Sequence, residues 1–264
     1  MNKTSKNPIG IFDSGIGGTS IWKEIITLLP NEDTVYLSDS KNAPYGQKST
    51  EKIIDLCIKN TEFLLEQNCK MIVVACNTAT TNAIKFLRDT YKVPFIGIEP
   101  AIKPASLKTQ TNTIGILATK GTLNSALFEK TSSLIDAKIN IIEQVGEGLV
   151  DLIESGNIDS NEMDILLNKY LQPMLTNNVD CLVLGCTHYP YLIDKIKEIT
   201  KNNITIIDSG EAVSRQVKAV LQKLAIQNTK TLEGKHSFYS NKNKEVLSQI
   251  LSPIKNCTIT EKDF

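Results

Sequence analysis

The 264-residue sequence has no C-x-x-C pair and only two histidines, His188 and His236. Tetrahedral zinc sites draw on closely spaced cysteine and histidine ligands. Cys181, Cys186 and His188 lie near one another, but no fourth ligand accompanies them, so no metal centre is expected. Neither a G-x-x-x-x-G-K-[ST] loop nor a G-x-G-x-x-G fingerprint is present, which argues against nucleotide binding. A basic surplus is also missing. Lys+Arg and Asp+Glu balance at 29 each, so no nucleic-acid partner is expected. The longest apolar runs, such as Met71-Ile72-Val73-Val74-Ala75-Cys76, fall far short of the roughly 20 residues that span a bilayer. The opening residues 1–8 are polar and lack the apolar core of a signal peptide. These absences point to a cytoplasmic protein without a membrane partner.

In a reducing compartment Cys57, Cys69, Cys76, Cys181, Cys186 and Cys257 are expected as free thiols. A free cysteine usually behaves as a small buried hydrophobe, and that reading is kept for Cys57, Cys69, Cys181 and Cys257.

What is present is a regular alternation of short apolar runs with longer amphipathic stretches. Residues 9–12, 34–37, 71–75, 95–98, 113–117, 139–142 and 181–184 read as strands. Helical spacing is expected over residues 19–29, 51–67 and 80–91, and again over 213–225. Strands alternating with helices argue for an α/β fold with mostly parallel sheets. Strands apolar at every position fit sheets covered on both faces. After residue 210 only the helix and a polar end of little functional signal are expected.

The sequence also repeats itself. Ile9-Gly10-Ile11-Phe12-Asp13-Ser14 returns as Ile114-Gly115-Ile116-Leu117-Ala118-Thr119. Val73-Val74-Ala75-Cys76-Asn77-Thr78 returns as Val183-Leu184-Gly185-Cys186-Thr187-His188, and residues 95–99 as residues 205–208. Three echoes in the same order imply two similar, pseudo-symmetric α/β halves. Residues 1–98 plus about 208–264 are assigned to the first and residues 99–207 to the second, packed closely with the active site in the cleft between them.

Ligands of open α/β sheets bind at the carboxyl ends of the strands, where Cys76 and Cys186 both fall. A pseudo-twofold axis would set the two thiols face to face. Inverting a stereocentre by proton transfer needs a base on one face of a carbon and an acid on the other. A thiol, with an ordinary pKa of about 8.5, can serve in either state. Asn77, Thr78 and Thr187 follow the cysteines at expected helix starts, where N–H groups favour a thiolate and bind carboxylates. His188 and Asp13 are candidate relay groups, one for each thiol. The glycine-rich Asp13-Ser14-Gly15-Ile16-Gly17-Gly18 reads as a tight turn presenting Asp13 and Ser14. Tyr45-Gly46 after Pro44 reads as a turn able to aim N–H groups at a distal carboxylate. Glu154, before Ser155-Gly156, reads on its own as a solvated helix-end charge.

Asp13-Ser14-Gly15-Ile16-Gly17-Gly18, Pro44-Tyr45-Gly46, Cys76-Asn77-Thr78, Glu99-Pro100 and Gly185-Cys186-Thr187-His188-Tyr189-Pro190 resemble the signatures of glutamate racemases, in the aspartate/glutamate racemase superfamily. The resemblance spans roughly residues 8–225. It implies a two-domain α/β fold and conversion of L- to D-glutamate for peptidoglycan without pyridoxal phosphate, metal or nucleotide. It implies that Cys76 takes the proton from D-glutamate and Cys186 from L-glutamate. Asp13, His188 and Glu154 assist; Asp13, Ser14, Tyr45, Gly46, Asn77, Thr78, Thr187 and His188 hold the substrate. A homodimer is compatible with it. Two segments depart from the family pattern: Ser38-Asp39-Ser40-Lys41-Asn42-Ala43 before the Pro44 turn, and Gly146-Glu147-Gly148 before the Glu154 helix. An aspartate racemase on the same scaffold is the nearest rival, and a binding module with sensor thiols a more distant one. The second leaves the duplicated cysteine motif unexplained.

Overall fold

The computed structural model describes residues 4–242 and 244–264. Strands β1 (Ile9–Asp13), β2 (Thr34–Ser38), β3 (Met71–Val74) and β4 (Phe95–Gly97) alternate with helices α1 (Thr19–Leu28), α2 (Thr50–Glu66), α3 (Asn77–Thr90) and α4 (Ile102–Lys108). The next segment holds β5 (Thr113–Ala118), α5 (Lys120–Leu123), α6 (Ala126–Ser132), β6 (Asn140–Val145), α7 (Leu149–Glu154), α8 (Asn161–Thr176), β7 (Cys181–Gly185), α9 (Ile193–Ile199) and β8 (Thr205–Ile207). The chain closes with α10 (Gly210–Lys223), β9 (His236–Ser240), α11 (Lys244–Leu251) and β10 (Cys257–Glu261).

One sheet runs β10-β9-β2-β1-β3-β4 and the other β6-β5-β7-β8. Every strand pairing in both is parallel. The two central orders, β2-β1-β3-β4 and β6-β5-β7-β8, are the same pattern. Their registers agree as well: Ile9 pairs with Met71 as Ile114 pairs with Cys181. The internal repeat is therefore a repeat of topology. Strands β1, β2, β3 and β7 are buried along their whole length, because helices cover both faces.

The longer helices turn an apolar stripe inward. In α1 the buried positions Ile21, Trp22 and Ile25 recur at helical spacing. Helix α10 buries Val213, Val217 and Leu221 and packs on α1. One continuous core joins the sheets: Ile9, Ile11, Trp22 and Met71 belong to the same cluster as Leu117, Leu149, Leu182 and Leu184.

The polar end is more than an appendage. Strand β9 pairs with β2, and β10 with β9, so the tail widens the first sheet. Trp22 meets the rings of His236 and Phe238 edge-on, at 5.2 and 4.8 Å between centroids. The sequence hides these strands because β9 buries only alternate residues and β10 leaves most of its side chains exposed.

Candidate active site

Both cysteines lie at the carboxyl edge of a sheet, one in each. Cys76 follows β3 and is the N-cap of α3; its Sγ accepts from the Ala79 N–H at 3.4 Å. Ser14 Oγ sits 3.6 Å from the same sulfur. Cys186 follows β7, and its Sγ lies 3.7 Å from His188 Nδ1. The expected helix start after Cys186 is absent. The chain instead makes a 3₁₀ turn, Tyr189–Leu192, before α9, because Pro190 and the preceding bend delay regular helix. Only Cys76 therefore sits on a helix N-terminus; Cys186 has an imidazole instead.

Ser14, Tyr45, Gly46, Cys76, Asn77, Thr78, Cys186, Thr187 and His188 line one small, tightly closed cavity. No lysine or arginine is among its lining residues, so an anion there is left to hydroxyls, amides, backbone N–H groups and His188. Both polar atoms of the Asn77 side chain are buried without a partner among the described residues. A bare buried amide costs about 1–3 kcal/mol, a deficit that a bound carboxylate or ammonium group would relieve.

Asp13 and Glu154 stand behind this wall. Asp13, at the end of β1, is fully buried; its Oδ2 accepts from the N–H groups of Gly18 (2.9 Å) and Gly15 (3.2 Å), and its Oδ1 from Thr187 Oγ1 at 3.3 Å. Burial raises its pKa, opposed in part by His188 and by those N–H groups. Burial also holds the Cys76 thiol well above its ordinary value, reinforced by the charge of Asp13 and opposed by Ala79 N–H and Ser14.

Glu154 is 6% exposed, unlike the solvated charge that its place at a helix end implies. Its Oε1 lies 2.6 Å from His188 Nε2 and accepts from the Ile16 N–H at 2.6 Å. Burial disfavours the Glu154 carboxylate, but bonding to His188 prevails and its pKa is lowered. Burial likewise disfavours the His188 cation; contact with Cys186 and Glu154 prevails, and its pKa stands well above the ordinary value. The Gly17 N–H also points at Nε2, from 3.3 Å. That nitrogen cannot both donate to the carboxylate and accept from Gly17, and the shorter, charge-assisted contact wins. The Glu154 contact thus favours the His188 cation, and Nδ1 faces Cys186.

Gly15 and Gly17 make this approach possible. A Cβ on Gly15 would stand 1.9 Å from Glu154 Oε1, and one on Gly17 2.3 Å from His188 Nδ1. Helix α7, which carries Glu154, begins at Gly148 with φ of 79°, a left-handed turn that glycine adopts without strain.

A model of the Asp/Glu/Hydantoin racemase family matches residues 9–217. The chain belongs to that family. A glutamate racemase of Cupriavidus pinatubonensis is 46% identical over 228 residues, 86% of this chain and 84% of the relative. The crystal structure of a glutamate racemase isoform from Bacillus anthracis matches with a TM-score of 0.86 at 30% identity, covering 98% of each chain. That of the Francisella tularensis enzyme, in complex with D-glutamate, matches with a TM-score of 0.82 at 29% identity, covering 97% of this chain and 98% of that one. The protein is accordingly an isomerase, an amino-acid racemase.

Sequence reasoning missed three residues of this racemase's cavity, Pro44, Thr119 and Val150. A signal for Thr119 existed, since the repeat aligns it with Ser14. Its hydroxyl lies 2.7 Å from that of Thr78, so the two halves meet across the site. The Tyr45 ring lines the cavity, but its hydroxyl donates to Asp39 Oδ2 at 2.5 Å and accepts from Asn60 Nδ2 at 3.1 Å. The Tyr45 hydroxyl is thereby tied into the loop behind the cavity. Among the described residues no helix is long and apolar enough to cross a membrane, and no cluster of three or more His, Cys, Asp or Glu is placed to hold a metal.

Proposed function

We propose that this racemase interconverts L- and D-glutamate by proton transfer between Cys76 and Cys186, without a cofactor, and supplies D-glutamate for peptidoglycan synthesis. The reading is carried by one observation: a single small cavity lined by both thiols, each at the carboxyl edge of its own sheet. The relatives' common name as glutamate racemases supports the choice of amino acid.

From L-glutamate, the Cys186 thiolate takes the α-proton and becomes a thiol. The electron pair of the broken C–H bond passes into the α-carboxylate, giving a planar carbanion. The Cys76 thiol then delivers its proton to the opposite face, leaving D-glutamate and a Cys76 thiolate. The reverse reaction exchanges the roles. The surroundings of the two thiols differ as the roles require: burial and Asp13 favour the protonated form of Cys76, and His188 Nδ1 lies 3.7 Å from Cys186 Sγ. Glu154 holds the imidazole in place. Asp13 assists Cys76 through its charge, which favours return of a proton to that thiolate. Ser14, Asn77, Thr78, Thr187 and the Tyr45–Gly46 backbone hold the two carboxylates and the ammonium group.

The test is incubation in D2O with each enantiomer of glutamate and of aspartate, without cofactor. Racemisation with α-deuteration is expected for glutamate. Cys76→Ser and Cys186→Ser should each abolish racemisation, because a serine alkoxide is scarcely populated near neutral pH. Elimination from a glutamate bearing a β-leaving group needs only proton abstraction. Cys76→Ser should retain it on the L-analogue and Cys186→Ser on the D-analogue. If both variants prefer the same enantiomer, the thiols do not flank the α-carbon and the mechanism is wrong.

A further inference from the structure

We infer that Asn241, from the C-terminal tail, and Asp39 act together as positioning residues for the substrate-binding turn 44–46. The inference rests on the reading of that turn as a wall of the glutamate site. Asn241 lies beyond residues 9–217, the part matched by the family model.

Asp39 follows the end of β2 and is 2% exposed. Three side chains donate to its carboxylate: Tyr45 OH to Oδ2 at 2.5 Å, and Asn42 Nδ2 (2.8 Å) and Asn241 Nδ2 (2.6 Å) to Oδ1. Its own N–H donates to Asp13 O at 3.1 Å, joining it to the end of β1. The buried carboxylate is therefore held by neutral donors; the nearby Lys41 ammonium is turned away to Asp263 at 3.1 Å. Burial and the Asp39 charge keep the Tyr45 hydroxyl protonated and able to donate.

Asn241 is the only one of the three donors that comes from outside the loop. It sits just past β9, whose parallel pairing with β2 fixes where it emerges. Its amide also reads the loop backbone, with Oδ1 accepting from the Lys41 N–H at 2.8 Å. A single side chain thus bonds both ends of a short relay, the backbone at Lys41 and the carboxylate that orients Tyr45. At the far end Gly46 packs on the second half; a Cβ there would lie 2.8 Å from Thr119 Cβ. The turn is held from one side by the tail and from the other by Thr119, the N-cap of α5, and a small shift of its N–H groups degrades carboxylate binding.

The test is steady-state racemisation by the full-length chain carrying Asn241→Ala, Tyr45→Phe, or both, with thermal melting and amide hydrogen exchange in parallel. Asn241→Ala is expected to raise KM roughly five- to tenfold with kcat within about twofold. Exchange in a peptide covering residues 39–48 should speed up, while that of α3 stays unchanged. In the Tyr45→Phe background, which cuts the relay, Asn241→Ala should add little to KM. The exchange measurement needs no substrate, so it stands even if glutamate is the wrong amino acid. An unchanged KM with unchanged exchange, additive effects in the double variant, or a fall in kcat that merely tracks a lower Tm would each overturn the inference.

Discussion

At the scale of residues the site is two unlike halves built on one repeat. Cys76 and Cys186 are equivalent by position, but their neighbours are not: the repeat pairs Asp13 with Ala118 and Thr78 with His188. One thiol thereby has a buried carboxylate near it and the other an imidazole. The Glu154–His188 pair makes a prediction about pH. His188 has a raised folded pKa, so its contribution is complete below its ordinary value of 6.5 and fades as pH climbs through the raised value. Glu154 has a lowered pKa, so its contribution is complete above 4.5 and fades as pH falls through the lowered value. The pair is therefore worth most between pH 4.5 and 6.5. Glu154→Gln should cost about 2–3 kcal/mol there, since it leaves a buried cation without its counter-charge. Urea titrations from pH 4.5 to 10 should show that deficit shrinking at the alkaline end. A deficit that is flat with pH would mean that Glu154 acts by packing alone.

At the scale of elements, the turn between β1 and α1 joins the two halves of the site. It offers Ile16 N–H to Glu154 and Gly17 N–H toward His188, and Asp13 reaches Thr187. Ser20 Oγ donates to Thr187 O at 2.9 Å, adding another tie. Its glycines were legible in sequence as a tight turn, but the reason for two of them was not. Gly15 and Gly17 are required by side chains more than 130 positions away, which no local pattern encodes. Gly17→Ala should lower kcat at least roughly tenfold by displacing His188. A comparison variant, Ser160→Ala, removes the N-cap of α8; it should cost about 1 kcal/mol of stability and leave kcat alone. If Gly17→Ala lowers Tm and nothing else, the turn serves only the fold.

At the scale of the whole molecule, the shared core decides how the protein unfolds. Residues of both sheets form one cluster, and α10 carries the chain from β8 back onto α1. Trp22 is the sequence's single tryptophan and lies in that cluster, against β9. Its fluorescence and the far-ultraviolet circular dichroism should follow one unfolding curve in urea. Two separate transitions would show that the halves hold their cores independently.

The sequence by itself determined the alternation of strands and helices, the doubled topology and the two cysteines at strand ends. Each is a local pattern: apolar runs bounded by turns, and one motif stated twice. Cys76, Asn77 and Thr78 were legible because a strand, a cap and a helix start follow directly from the residues there. Thr119 was legible in principle, through its alignment with Ser14. Only the tertiary structure decided the rest. Glu154 is a buried partner rather than a solvated charge because α7 folds its end against His188 and the Gly15 turn. Tyr45 turns its hydroxyl from the cavity because Asp39, Asn60 and the distant Asn241 converge behind it. The tail joins the first sheet because β2 offers an open edge that half-buried strands can complete. Those outcomes depend on contacts between residues far apart in the chain, and their energies exist only once the two halves have closed on one another.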